Sequence, residues 1–228
     1  MHPRSTTLRR ALLGLVMLAA LLVVVALGAC GGTEKEAKPP PLPEDDKALQ
    51  PGEYRSEEFE PSLSFKVGKG WSSDPIEASD SLFIRRGETM GLGFVKPQEV
   101  YKPTKDEALQ IVDAPKDLVG WFQHHPHLQT DKPEPVTVGG VEGEQFDVVV
   151  ADLPEDYSSV CGSECVGLAR LSTGSQAILA AGDKLRLIVL EDVQGETVTI
   201  GFVSPASTFD EFAPKAQKVV DTVKWRDS

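Results

Sequence analysis

Histidine and cysteine, which supply many of the bases, nucleophiles and metal ligands that work at neutral pH, are scarce in this chain. Four histidines occur in 228 residues, and three of them, His124, His125 and His127, share the stretch FQHHPHL. A histidine base in the mature chain must come from there. The only cysteines are Cys30, Cys161 and Cys165. No G-x-S-x-G, G-x-x-x-x-G-K-[ST], G-x-G-x-x-G or H-E-x-x-H pattern occurs, which removes the usual signatures of hydrolase elbows, phosphate loops, dinucleotide sites and zincins. The glycine clusters GLGF and STGS read as turns. Carboxylates are plentiful, but nothing in the order of residues pairs two of them. No residue stands out as catalytic, and no cofactor or metal is expected.

Positive charge is also short. The whole chain carries a formal charge of −12. Residues 1–29 hold Arg4, Arg9 and Arg10 and no acid, so a chain without them stands at −15. Such a surface repels phosphate backbones and anionic headgroups, which argues against nucleic-acid partners. The acids are dispersed, and no D-x-D-x-D-G loop arranges them for calcium.

Only one long apolar run is present, residues 11–29, and it stops at Cys30. A basic start, an apolar core and small residues before a cut are the parts of an export signal. Its 19 residues are also close to a membrane span, so length alone leaves an uncleaved helix open. The stretch Leu27-Gly28-Ala29-Cys30 resembles the bacterial lipobox. That resemblance implies cleavage after Ala29, diacylglyceryl transfer to the Cys30 thiol, and a mature protein lipid-anchored on the extracytoplasmic face of the cell membrane. Two or more acyl chains hold such a protein stably, since each buried methylene contributes about 0.8 kcal/mol.

Three parts are expected: a signal peptide (1–29), the lipidated Cys30 with a disordered proline-rich tether (30–50), and a single α+β domain (51–228). The tether GGTEKEAKPPPLPEDDKALQ lacks apolar periodicity and is a spacer by composition. Beyond it, short apolar stretches alternate with turn signals. SLSFKV, SLFIRR, GLGFVK, PVTV, EGEQFDVVVA, VGLARL, QAILAA, LRLIVLED and ETVTIGFV read as strands. Gly139-Gly140 and Gln194-Gly195 read as hairpin turns. Leu187 to Leu190 are all apolar, which predicts a central strand covered on both faces. Three helices are predicted: residues 105–112 behind a capping box at Thr104, a second from Asp113-Ala114-Pro115 to Pro126, and a third over 208–224. Pro214 in the third is expected near its start. Trp71 and Trp121 read as core residues.

These elements predict a mostly antiparallel sheet covered by two to three helices. FEPSLSFKVGKGW near the start and the closing FDEFAPKAQKVVDTVKW resemble the PsbP-type α/β sandwich, found in photosystem extrinsic proteins and actinobacterial lipoproteins. The resemblance implies binding or assembly roles and no shared chemistry.

An exported domain meets an oxidising compartment, so Cys161 and Cys165 are expected to pair as a staple on their loop. A redox switch is the alternative, against which the spacing is not C-x-x-C. The histidines suit the cationic preference of a helix C-terminus, with a zinc or copper site as the alternative. The functional expectation is a non-catalytic, membrane-anchored domain that binds an envelope protein or a small ligand. A cell-envelope hydrolase and a passive structural protein are the alternatives. A shallow apolar groove would favour binding; a buried carboxylate pair or a deep polar cleft would favour the enzyme.

Overall fold

The computed structural model describes residues 38–44, 46–102, 110–155, 157–162 and 164–226, apart from the side chains of Pro75 and Ile76. The expected signal segment, Cys30 and the first part of the expected tether lie outside the described residues. Pro39–Ser228 is one compact unit. The second half of the expected tether thus belongs to the fold. Leu42 and Leu49 are buried, and the backbone around them bonds to Arg55, Trp71 and Ser73. Two leucines in an otherwise polar stretch are enough to seat it.

Fifteen strands and two helices form the described structure. The largest sheet runs β3(Ser72–Ala78), β4(Ser81–Arg85), β5(Gly91–Val95), β14(Glu196–Pro205), β13(Asp183–Val193), β10(Val141–Val150) and β8(Leu128–Thr130), with β9(Glu134–Val138) also on β10. A three-stranded sheet orders as β1(Gly52–Arg55), β2(Leu63–Val67) and β15(Lys224–Trp225). A four-stranded sheet orders as β12(Gln176–Ala180), β11(Cys165–Arg170), β6(Glu99–Tyr101) and β7(Ile111–Asp113). Every strand pairing is antiparallel.

Strand side chains alternate between faces, and the large sheet uses both. Leu82, Ile84, Leu92, Phe94, Ile188, Ile200 and Phe202 share one core with the long helix and the three-stranded sheet. Leu185, Leu187, Val189, Phe146 and Val148 share a second core with the four-stranded sheet and the short helix. β13 contributes to both, as its unbroken apolar run requires. The hairpin turns are as expected: φ is positive at Gly139, Gly140, Gln194 and Gly195, the backbone of a tight type I′ turn.

The helices differ from expectation. Residues 103–109 lie outside the described residues, but Ile111–Asp113, expected as a helix end, is strand β7 paired with Glu99–Tyr101. Two β-branched residues beside an open strand edge settle into a ladder. The second helix shortens to α1(Leu118–Gln123), capped by Asp117, whose Oδ1 accepts the Gly120 N–H at 2.7 Å. The third, α2(Ala206–Val220), starts two residues early and ends before β15. Pro214 therefore sits inside the helix rather than near its start. It is exposed, so water can serve the backbone carbonyl that its missing N–H leaves free. Among the described residues no helix is long and apolar enough to cross a membrane.

Candidate functional site

The second face of the large sheet is incompletely covered. On β5 and β14, the residues facing the four-stranded sheet are Gly91, Gly93, Val95, Thr199, Gly201 and Val203, and all six line a cavity of ≈ 280 Å³. Three of the six have no side chain. Their neighbours Leu92, Phe94, Ile200 and Phe202 point the other way and are fully buried. The cavity exists because one face of these strands is full-sized and the other is glycine-rich. GLGFVK forms a strand, as expected, and within it the glycines of GLGF make space instead of a turn; STGS is a turn, with Gly174 at φ +81°.

The opposite wall is β11 and β12, through Leu168, Ala169, Ala177, Ile178 and Leu179, and α1 adds Leu118 and Phe122. Leu118, Phe122, Leu168 and Leu179 are buried, whereas Gln176 and Ile178 are exposed, Ile178 at 43%. The buried group marks the floor and the exposed pair the mouth. Among the described residues no ionisable side chain lines the cavity. Its polar side chains are Gln176 and Thr199, and the Thr199 hydroxyl already donates to the Val95 carbonyl at 3.1 Å. A wall of this chemistry offers desolvation and shape, with no acid, base or nucleophile.

Phe83 lines this cavity and also a second one, whose wall carries Leu42, Pro43 and the carboxylates of Glu44, Glu57, Glu58, Asp74 and Glu77. Glu77 is committed: its Oε1 accepts the backbone N–H groups of Glu57, Glu58 and Phe59 at 2.7, 2.9 and 3.2 Å. Asp74 pairs with Arg85 at 3.1 Å.

The four-stranded sheet is fastened over the apolar cavity at its turn. The buried Asp80 carboxylate accepts the Ser172 N–H and hydroxyl, each at 2.7 Å. Arg170 pairs with Glu99 at 2.6 Å on the neighbouring strand.

The histidines separate. His124 is exposed, and its Nδ1–H donates to the Gly120 carbonyl at 2.7 Å. His125 and His127 are buried, with ring centroids 6.0 Å apart, between Trp121 and Tyr157. The His127 N–H donates to His125 Nδ1 at 3.2 Å, which places the His125 proton on Nε2. Burial, reinforced by His127, lowers the His125 pKa to about 4. Among the described residues no three histidine, cysteine or acidic side chains are grouped to hold a metal. Neither Trp71, in the first core against Phe212, nor the half-buried Trp121 lines the apolar cavity.

Cys161 and Cys165 form a disulfide with Cα atoms 6.1 Å apart. Ser159 braces the loop: its hydroxyl donates to the Cys165 carbonyl at 2.7 Å, and its N–H to the Gly162 carbonyl at 2.8 Å. The bridge sits at the start of β11, one wall of the cavity.

Sequence reading missed Phe83, Gly91, Gly93 and Gly201. One signal was present. Glycines two apart inside a strand leave one face bare, which marks close approach of a ligand or backbone.

No protein-family model matches the chain, and no curated protein matches its sequence. Solved structures similar to it include the following two. The solution structure of cyanobacterial PsbP (CyanoP) from Synechocystis sp. PCC 6803 is 12% identical, over 88% of this chain and 99% of that one, with a TM-score of 0.41. The crystal structure of LpqN, involved in cell envelope biogenesis of Mycobacterium tuberculosis, is 9% identical, over 79% of this chain and 90% of that one, with a TM-score of 0.33.

Proposed function

We propose that this protein is a non-catalytic, lipid-anchored binding domain that works outside the cytoplasm and holds an apolar ligand between its large and four-stranded sheets. The observation that carries the reading is the ≈ 280 Å³ cavity, whose wall among the described residues has no ionisable group. A reaction centre needs groups that move protons or stabilise charge; this cavity rewards burial of apolar surface alone. The lipobox resemblance at Leu27-Gly28-Ala29-Cys30 supports the anchor, and the acidic balance supports a site remote from nucleic acid.

Two experiments test it. The apolar dye N-phenyl-1-naphthylamine is expected to brighten with the wild-type protein and to lose most of that signal with Gly91→Leu. A Cβ on Gly91 meets nothing nearer than Val203 Cγ1 at 3.8 Å, so this leucine extends into the cavity with little strain on the fold. Equal dye binding by both proteins would remove the cavity from the function. For the anchor, Cys30→Ala is expected to abolish lipidation and shift the protein in detergent phase partitioning. Identical partitioning of both forms, with the precursor uncut in each, would end the lipobox reading.

A further inference from the structure

We infer that the occupant is the alkyl chain of an uncharged membrane amphiphile, held with its headgroup outside the mouth; this rests on the apolar-ligand reading above. The volume sets the size. About 280 Å³ takes roughly nine or ten groups of water or methylene size. The lining sets the polarity. Buried Leu118, Phe122 and Leu179 close the floor, and among the described residues no charged side chain enters the wall. A carboxylate, phosphate or ammonium placed there would be desolvated without a partner, which disfavours its entry. Any polar head therefore stays at the exposed end, beside the Gln176 amide and Ile178.

The charge of the chain selects the head. An excess of 15 negative charges after residue 29 surrounds the domain with a negative potential. An anionic head is repelled there, while an uncharged one is not.

The path of the chain supplies the source. The polypeptide coming from Cys30 meets the domain at Leu42 and Pro43, on the second cavity, whose wall Phe83 shares with the first. Leu42 lies twelve residues after Cys30, a span of at most about 40 Å when fully extended. With Cys30 acylated, Phe83 is confined near the bilayer surface, where alkyl chains are the most concentrated apolar ligand.

The test uses the full-length lipidated chain in phosphatidylcholine vesicles with two photoreactive decyl probes, a maltoside and a sulfate, and peptide mapping of the cross-links. The maltoside is expected to label the peptides carrying Ile178 and Gly91 roughly tenfold more than the sulfate, and Gly91→Leu is expected to abolish that label. Equal labelling by both probes overturns the headgroup selection. Labelling by neither, while the naphthylamine dye still binds, overturns the alkyl occupant and leaves the apolar reading standing. Loss of dye and probes together brings down both. Labelling that appears only in full-length Cys30→Ala means that the protein's own anchor fills the cavity, which also overturns the proposal.

Discussion

The ring of Phe83 occupies the space that a side chain on Gly93 would fill: a Cβ there would lie 2.5 Å from both Cδ1 and Cε1 of the ring. The two positions face each other across the β4–β5 ladder, so the glycine lets the aromatic ring lie over the backbone at the cavity wall. Gly93→Ala is expected to displace Phe83 and to destabilise the fold by about 1–3 kcal/mol, the usual range for overpacking. Denaturant unfolding checks it. The double variant Gly93→Ala/Phe83→Ala is expected to recover part of the loss, because the clash is gone; an unchanged or larger loss would contradict the geometry.

Asp80 fastens the four-stranded sheet to the large one. Asp80→Ala leaves the Ser172 N–H without its acceptor, and a cost of about 1–3 kcal/mol is expected. Amide hydrogen exchange should rise first between β11 and β12, where Ser172 sits. Uniform acceleration across both sheets would argue against a local fastening.

Asp147 holds two cations, Arg186 at 2.6 and 3.0 Å and Lys184 at 2.8 Å. Burial alone would push its carboxyl up. The hydrogen bonds and charges of Arg186 and Lys184 outweigh that and hold it below the ordinary carboxylate range. A lowered carboxylate pKa contributes stability that is full above its unfolded value and is lost as pH falls through the folded one. Asp147→Asn is therefore expected to cost about 2 kcal/mol near neutral pH, and the gap to wild type should close in strong acid. A gap that is constant down to that range would refute the assignment.

His125 titrates oppositely to a paired histidine. Its pKa falls from 6.5 to about 4 because the ring is buried and His127 lies beside it. Between those values the unfolded chain binds the proton and the folded one does not, so folded stability rises with pH across that window. The full effect is on the order of 3 kcal/mol. Carbon-bound proton shifts of His125 in an NMR titration should move with a midpoint near 4. A His125 midpoint near 6.5 would show that the ring is solvated.

Replacing Cys161 and Cys165 together by serine is expected to lower stability by about 2 kcal/mol or less, since so short a ring restrains the unfolded chain little. Dye binding should survive, with calorimetry and the naphthylamine signal read on the same samples. Loss of binding with little change in melting would instead tie the bridge to the shape of β11.

The hairpins were legible because their chemistry is local: Gly139-Gly140 and Gln194-Gly195 each demand a particular turn, and alternation on either side does the rest. β3 was hidden by Pro75. The structure accommodates that proline on an edge strand, with a register shift between Ser73 and Glu77, where a lost ladder bond costs least. β6, β7 and β15 are two or three residues long, too short for any period to register. Apolar spacing alone also could not separate the end of α2 from β15, because Val220 and Val223 fit both. The cavity was the least legible feature. It needs β4, β5 and β14, drawn from opposite ends of the sequence, to turn their bare positions to one side, and only the paired ladder does that.

The ladder between β2 and β15 has a consequence for the order in which the chain becomes whole. Leu63 pairs with Trp225, the Arg226 N–H donates to the Ser62 carbonyl at 2.8 Å, and the Trp225 ring N–H donates to the Val138 carbonyl at 3.0 Å. Closing a loop of that span is entropically slow. A polypeptide delivered N-terminus first presents β2 early, yet one edge of that strand waits for residues 224 and 225 to arrive. Until then the first core stands open on that side, and it closes only with the last turn of the chain.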